Sequence, residues 1–397
     1  MSKKTKRSST KQFIMQVVML MLLLAGFLIG LYPFYANALN DFIDQRRLEQ
    51  VKQADSEKAA KELAEKQKEN AALAEEGGAP GVVDPFANES RGSIDQAYYD
   101  EHLIGSVTLL KVDLEVPLFD TTNDLLLNYG ATVLQGTSFP VGGTDTHTVI
   151  SAHSGLPERA LFTDLHKLKI GDRFVLTVYD EKLAYEVFEI DTVLPQETEG
   201  LQIRKGEDLA TLITCTPYMI NSHRLLVTGR RVPYTEELAA AATGAVKKRQ
   251  QINLLVIGGT LLLVAVVLYL LYRALKSYIL WHRRGDLIFW RMTENLAAQA
   301  IPVAGARFAL YDRRGHKPIR RNGQPIEATA DAEGRVVFQN LPGRMYIMKE
   351  LSPQAELKIA VGIKKWRQHQ IRFFGKKNQK IVFQNDPKMI IKTGLQQ

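Results

Sequence analysis

Two stretches of this chain run uncharged for about the length that a helix needs to cross a bilayer, and they partition everything else. Leu254–Tyr272 reads LLVIGGTLLLVAVVLYLLY, and Phe13–Tyr32 reads FIMQVVMLMLLLAGFLIGLY with Gln16 as its one polar residue. At 1.5 Å rise per residue, about 20 residues cross a hydrocarbon layer of ~30 Å. The sequence therefore predicts a basic N-terminus over 1–12 and transmembrane helices over 13–35 and 253–273. The first run is longer than the roughly 7–15 residues of a signal-peptide core. It is predicted to remain as an anchor, with Ala36-Asn37-Ala38 the site at which a signal peptide would be cut.

Charge sets the expected orientation. Residues 276–397 hold 23 Lys+Arg against 9 Asp+Glu, a net +14, which leaves 28 against 34, a net −6, for the rest. A basic tail suits nucleic acid or an anionic surface, but retention of basic flanks in the cytoplasm explains it without either. Lys3, Lys4, Lys6, Arg7 and Lys11 act in the same sense. The expectation is a two-pass cell-membrane protein with both termini inside and the middle outside, and with no nucleic-acid partner. Lys247, Lys248 and Arg249, on the outer flank, run against the rule and are outnumbered.

The middle has two textures. Residues 36–80 are rich in Ala, Glu, Lys, Gln and Leu, which favour helix. Their apolar stripe is thin, so a solvated helical spacer is predicted. A Gly- and Pro-containing linker follows over 81–103 and includes Asp84-Pro85-Phe86. Over 104–245, short runs rich in Val, Ile, Leu, Thr and Phe are separated by Gly, Pro, Asn and Asp. This pattern predicts a mainly β, mostly antiparallel barrel or sandwich with short helices near Asn123–Asn128 and Arg159–Leu165.

Cys215 is the only cysteine, so no intrachain disulfide forms, and its surroundings show no metal-ligand spacing. No metal or other cofactor is expected. It ends the β-rich run TLITC, just before Pro217. Nine residues later Arg224 opens the next run, and adjacent antiparallel strands would set it beside the thiol. His153, in VISAHSGLP, stands at another strand end. A permanent cation lowers a thiol's pKa and stabilises an oxyanion, while an imidazole moves protons. Such a trio supports acyl transfer through a thioester. Spacing alone leaves His147, His166 and His223 as alternatives. Asp145 and Asp164 lie near in sequence and read as solvated loop acids.

TLITCTPYMINSHRLLVTGRR resembles the TLxTC signature of the sortases with its downstream Arg, and SAHSGLP resembles their His motif. QGTSFPVGG, LFTDLHKLKIGDRF and CTPYMINSHRLLV further resemble the class C, pilus-building sortases, over about residues 40–275. The resemblance implies a closed sortase β-barrel with Cys215 as nucleophile, His153 as proton-transfer group and Arg224 as stabiliser. It implies that Asp84, Pro85 and Phe86 form a lid, the aspartate engaging the arginine and the aromatic ring covering the thiol. It also implies cleavage of an LPxTG-like signal between Thr and Gly, and transfer to a lysine amine on a pilin. A cell-wall amine is the alternative acceptor, and a weakly active membrane scaffold the alternative function. Ser151-Ala152 departs from the Thr-Gly that commonly precedes the histidine.

After a basic linker over 274–285, residues 286–397 resemble the collagen-adhesin B-type β-sandwich of pilins, through PVAGARFALYD, EGRVVFQNLPGRMYIMKELSP and IVFQNDP. Many such domains carry a Lys–Asn isopeptide bond. Here Glu350 and Asn385 fit the acid and asparagine positions, but Arg291 stands at the lysine position. No isopeptide is expected, and the domain reads as an adaptor.

Overall fold

The computed structural model describes residues 3–52, 56–75, 84–87, 92–179, 181–294, 299–351, 357–365, 367–368, 370–375, 381–384 and 390–393. Two compact units emerge, residues 26–263 and residues 1–25 with 264–397.

The first unit is built on a closed barrel of eight strands: β1 (Leu103–Leu109), β2 (Leu114–Phe119), β3 (Ala131–Val133), β4 (Thr146–Ser151), β5 (Arg173–Val178), β6 (Glu181–Val193), β7 (Asp208–Thr216) and β8 (His223–Val232). Around the barrel their order is β1-β2-β3-β4-β7-β8-β6-β5. Alternation along each strand sends one set of side chains inward: Ile150, Phe174, Leu176, Ala210, Leu212 and Val227 belong to one continuous core. Their neighbours Val149, Ile213 and Leu226 point the other way, into a second apolar cluster with Leu134 and Leu201. The barrel is mostly antiparallel, as the sequence predicts, with two exceptions. β4 pairs in parallel with β7, and β2 with β3. The predicted helix near residue 123 forms over Asp124–Leu127 (α5), capped by Asn123. The one expected over 159–165 is replaced by a single 3₁₀ turn, Leu165–Lys167.

The helical region ahead of the barrel is not a solvated spacer. It comprises α1 (Lys3–Gly30), α2 (Tyr32–Lys52) and α3 (Ser56–Glu75). In α2, Ala38, Asp44 and Leu48 are buried, and Leu48 packs with Tyr99, Phe119 and Leu126. In α3, Asn70 is buried and exchanges two hydrogen bonds with the backbone of Phe139, at 2.8 and 2.7 Å. A thin apolar stripe sufficed because polar side chains carry much of the docking.

Helix α4 (Gln96–His102) leads into β1, and α6 (Glu236–His282) follows the barrel. Among the described residues, two helices are long and apolar enough to cross a membrane: α1 through its Thr10–Gly30 stretch, and α6. The expected linker over 274–285 is absorbed by α6, which continues to His282 before a strand starts at Arg284.

Among the described residues the tail forms, besides a two-stranded ribbon of Arg320–Arg321 with Gln324–Pro325, two five-stranded sheets. One contains Arg284–Glu294 hydrogen-bonded to Ala300–Pro302, Arg335–Pro342 and Ile390–Thr393. The other runs Glu327–Thr329, Arg307–Tyr311, Tyr346–Glu350, Lys358–Gly362, Arg372–Phe374. Phe289 and Val336 from the first, and Phe308 and Met348 from the second, share one core. Arg291 donates to Glu350 at 3.2 Å, both side chains nearly inaccessible. Asn385 lies outside the described residues.

Candidate active site

Register brings the three sequence-selected side chains together. In the β7–β8 ladder Cys215 lies directly opposite Arg224. On the other flank the parallel β4–β7 register pairs Ser151 with Ile213, and Ala152 N–H continues the ladder to the Ile213 carbonyl at 3.1 Å. Two residues further along both strands stand His153 and Cys215. The sulfur thus has the arginine strand on one side and the histidine strand end on the other.

Several groups that the sequence did not single out hold this arrangement. Ser154 Oγ donates to the Cys215 carbonyl at 2.9 Å, and Thr214 Oγ1 to the Ala152 carbonyl at 2.7 Å. Phe162 N–H closes the loop onto the His153 carbonyl at 3.0 Å. Gly155 has φ 79°, and a β-carbon there would meet the Tyr218 ring at 3.0 Å, so glycine suits both the backbone and the space. A cleft of about 270 Å³ opens beside the thiol, lined by Ser154, Phe162, Thr163, His166, Cys215 and Tyr218 among others.

Arg224 is buried, and every nitrogen is engaged. Its Nε and Nη2 grip the Asp84 carboxylate at 3.0 and 2.5 Å, while Nη1 donates to the Asn221 and His223 carbonyls, each at 2.9 Å. Burial works against the charge. The Asp84 hydrogen bond, the charge of the Cys215 sulfur and that of Asp84 outweigh it and hold the guanidinium pKa above its ordinary value. Asp84 reaches this place because Asp-Pro opens a turn: Ala87 N–H bonds to the Asp84 carbonyl at 3.1 Å. The turn aims Phe86 inward. Its ring centroid lies 5.2 Å from Arg224 Cζ and 5.5 Å from the His153 ring, and it packs on the cluster of Leu134, Val149, Ile213 and Leu226.

The other histidines have different surroundings. His147 is fully buried, its Nε2 2.7 Å from Thr211 Oγ1 and its Nδ1 2.8 Å from the Gln202 carbonyl; burial, outweighing the help of that carbonyl, depresses its pKa. His223 contacts Ser222, and His166 bonds Thr163. Asp145 accepts from Gly206 N–H and Asp164 pairs with Lys167, so those contacts account for both acids.

A closed β-barrel that brings a cysteine, a histidine and an arginine to one rim holds the side-chain types that acyl transfer through a thioester requires. Residues 107–232 match the family described as the sortase domain, and that part of the chain is a sortase domain. Among its relatives, Sortase A of Bacillus anthracis is 27% identical over 215 residues, 54% of this chain and 91% of the relative. Sortase A of Listeria monocytogenes serovar 1/2a is 27% identical over 225 residues, 56% and 93%. Among solved structures, Sortase C1 of GBS Pilus Island 1 is 38% identical, with 48% of this chain and 91% of that chain covered and a TM-score of 0.42. Streptococcus pneumoniae Sortase C is 44% identical, with 48% and 97% covered and a TM-score of 0.41.

Proposed function

We propose that this protein is a membrane-anchored, pilus-building sortase that holds its own active site closed. The observation that carries the reading is the Asp84–Arg224 ion pair with Phe86 set over the histidine–arginine cluster. When the 84–87 turn leaves, an LPxTG-like signal takes its place. The Cys215 thiolate attacks the Thr carbonyl, and Arg224, released from Asp84, stabilises the oxyanion. His153 protonates the departing Gly amine, which leaves a thioester on Cys215. It then takes a proton from the incoming lysine amine of a pilin, and that nitrogen displaces the sulfur. The basic N-terminus and basic tail support a cytoplasmic location for both, with the barrel outside. Ion pairs of Lys248 with Asp113 and of Arg249 with Asp41 give two of the three outer-flank cations a local role. The tail's paired sheets are compatible with a pilin-like adaptor.

The test uses the full chain in detergent micelles with a labelled LPxTG-type peptide and an amine. Mass spectrometry should find a thioacyl adduct on Cys215 and an amine-ligated product, both absent in Cys215→Ala. A reactive thiol that never forms the adduct, even after Asp84→Ala, would overturn the reading.

A further inference from the structure

The loop that follows His153 is gripped from the side by the helix that continues the membrane anchor. Asn37 Oδ1 accepts from Ala160 N–H at 2.8 Å, and Asn40 Nδ2 donates to the Glu158 carbonyl at 3.0 Å. Tyr32 Oη donates to the Glu158 carboxylate. At the centre Arg159 Nη1 is ion-paired with Asp44, with side chains only 11% and 6% exposed. The same nitrogen donates to the Tyr129 carbonyl at 3.0 Å, and Tyr99 Oη reaches Asp44 at 3.4 Å. Asn37, Asn40 and Asp44 sit about one helical turn apart, Tyr32 lies at the start of the same helix, and all four meet residues 158–160. The loop is short, and its far end returns to the histidine through Phe162 N–H and the His153 carbonyl. Its near end is tied to the nucleophile through Ser154 and the Cys215 carbonyl.

A neighbouring face of α2 is equally fixed. Asp41 accepts from Arg249 Nε at 2.7 Å and from Asn253 Nδ2 at 3.1 Å, and Gln45 accepts from Gln250 Nε2 at 2.7 Å. Helix α2 is thus a strut between the early part of α6 and the histidine loop. A helix whose only task was to space the barrel from a bilayer would need none of these contacts. A buried charge pair is costly to desolvate and adds little net stability, but removing one partner leaves the other charge buried and uncompensated.

We infer that Asp44 and Arg159 are positioning residues that set His153 against Cys215, so the catalytic framework includes the juxtamembrane helix. The inference rests on the proposed acyl transfer for its kinetic readout, and on thiol chemistry and amide exchange for the rest.

The experiment takes the full chain in micelles, with Asp84→Ala present throughout so that the thiol is accessible. Asp44→Asn, Asn37→Ala and the charge exchange Asp44→Arg with Arg159→Asp are compared for four properties: peptide transfer, the pH profile of Cys215 alkylation by iodoacetamide, hydrogen exchange at the Phe162 amide, and melting temperature. For Asp44→Asn, kcat should fall about ten- to a hundredfold, the range that displacement of a catalytic group by roughly 1 Å produces, with KM within about twofold. The inflection of the alkylation profile should move, and Phe162 should exchange faster. Asn37→Ala should act in the same direction more weakly, which keeps the test open if Asp44→Asn does not fold. The charge exchange should restore part of the loss. An unchanged profile and unchanged exchange in Asp44→Asn or, if that does not fold, in Asn37→Ala would overturn the inference, as would losses that follow melting temperature alone. Altered alkylation and exchange without any peptide turnover in the parent would uphold the strut and overturn the substrate assignment instead.

Discussion

In the proposed reaction Arg224 has one guanidinium and two successive duties. With the turn closed, two of its nitrogens are committed to Asp84 and the third to the Asn221 and His223 carbonyls. The carbonyl bonds hold the plane of the group in place, so release of Asp84 frees a donor edge that is already oriented. A lysine could not divide its donors this way, because only arginine offers a rigid planar fork. Asp84 also competes with a thiolate for the same cation. Asp84→Ala should therefore favour the thiolate and uncover it together. A charge-assisted hydrogen bond of about 1.5–3 kcal/mol corresponds to a rise in Cys215 alkylation of roughly tenfold or more at neutral pH. Timed labelling read by intact mass checks this, and equal rates in the two proteins would show that the turn does not guard the thiol.

At the level of elements, legibility followed the range over which a contact is encoded. The β7–β8 pairing could be read because a six-residue connection containing Pro217 joins the strands, which places Arg224 opposite Cys215. The parallel β4–β7 pairing could not, since its strands lie some 60 residues apart and no local turn fixes the register. His153 was therefore separable from the other histidines only by the family motif. The docking of α2 and α3 was hidden for another reason. Asn37, Asp44 and Asn70 carry it, and a hydrophobic pattern counts such residues as solvent-facing. The β4–β7–β8 wall also holds a titratable group away from the chemistry. His147 bridges the Gln202 carbonyl and Thr211, whose hydroxyl meets Thr228 at 2.9 Å. Its depressed pKa means that the unfolded chain binds a proton first as pH falls. Its contribution is thus full above about pH 6.5 and is lost below it, by up to ~1.4 kcal/mol per pH unit until the folded pKa is passed. Melting of the barrel at pH 7.5 and pH 5 should show a drop that His147→Gln diminishes; an equal drop in both would place the acid sensitivity elsewhere.

At the scale of the whole chain, two units with separate cores should answer separately to damage. Arg291 and Glu350 are the sharpest place to apply it, being a buried ion pair in the core region of the tail. Burial raises the Glu350 pKa, and Arg291 works against that rise. Arg291→Met removes the counter-charge and leaves a carboxylate with nothing to offset its desolvation, a loss of about 3–5 kcal/mol at neutral pH. The sign with pH is fixed. A carboxyl whose folded pKa lies above the unfolded value of about 4.3 favours folding less as pH rises through that window, because the folded state must keep or lose a proton at greater cost. Arg291→Met should therefore be more destabilising at pH 8 than at pH 5. Replacing both partners, with Arg291→Met and Glu350→Leu, should recover most of the loss, since nothing charged is then stranded. Calorimetry on the full chain should show one transition moving with these substitutions and a second staying in place. Cys215 alkylation should be unchanged in both variants. A barrel transition or a thiol rate that moved with Arg291 would show instead that the two units fold as one cooperative body.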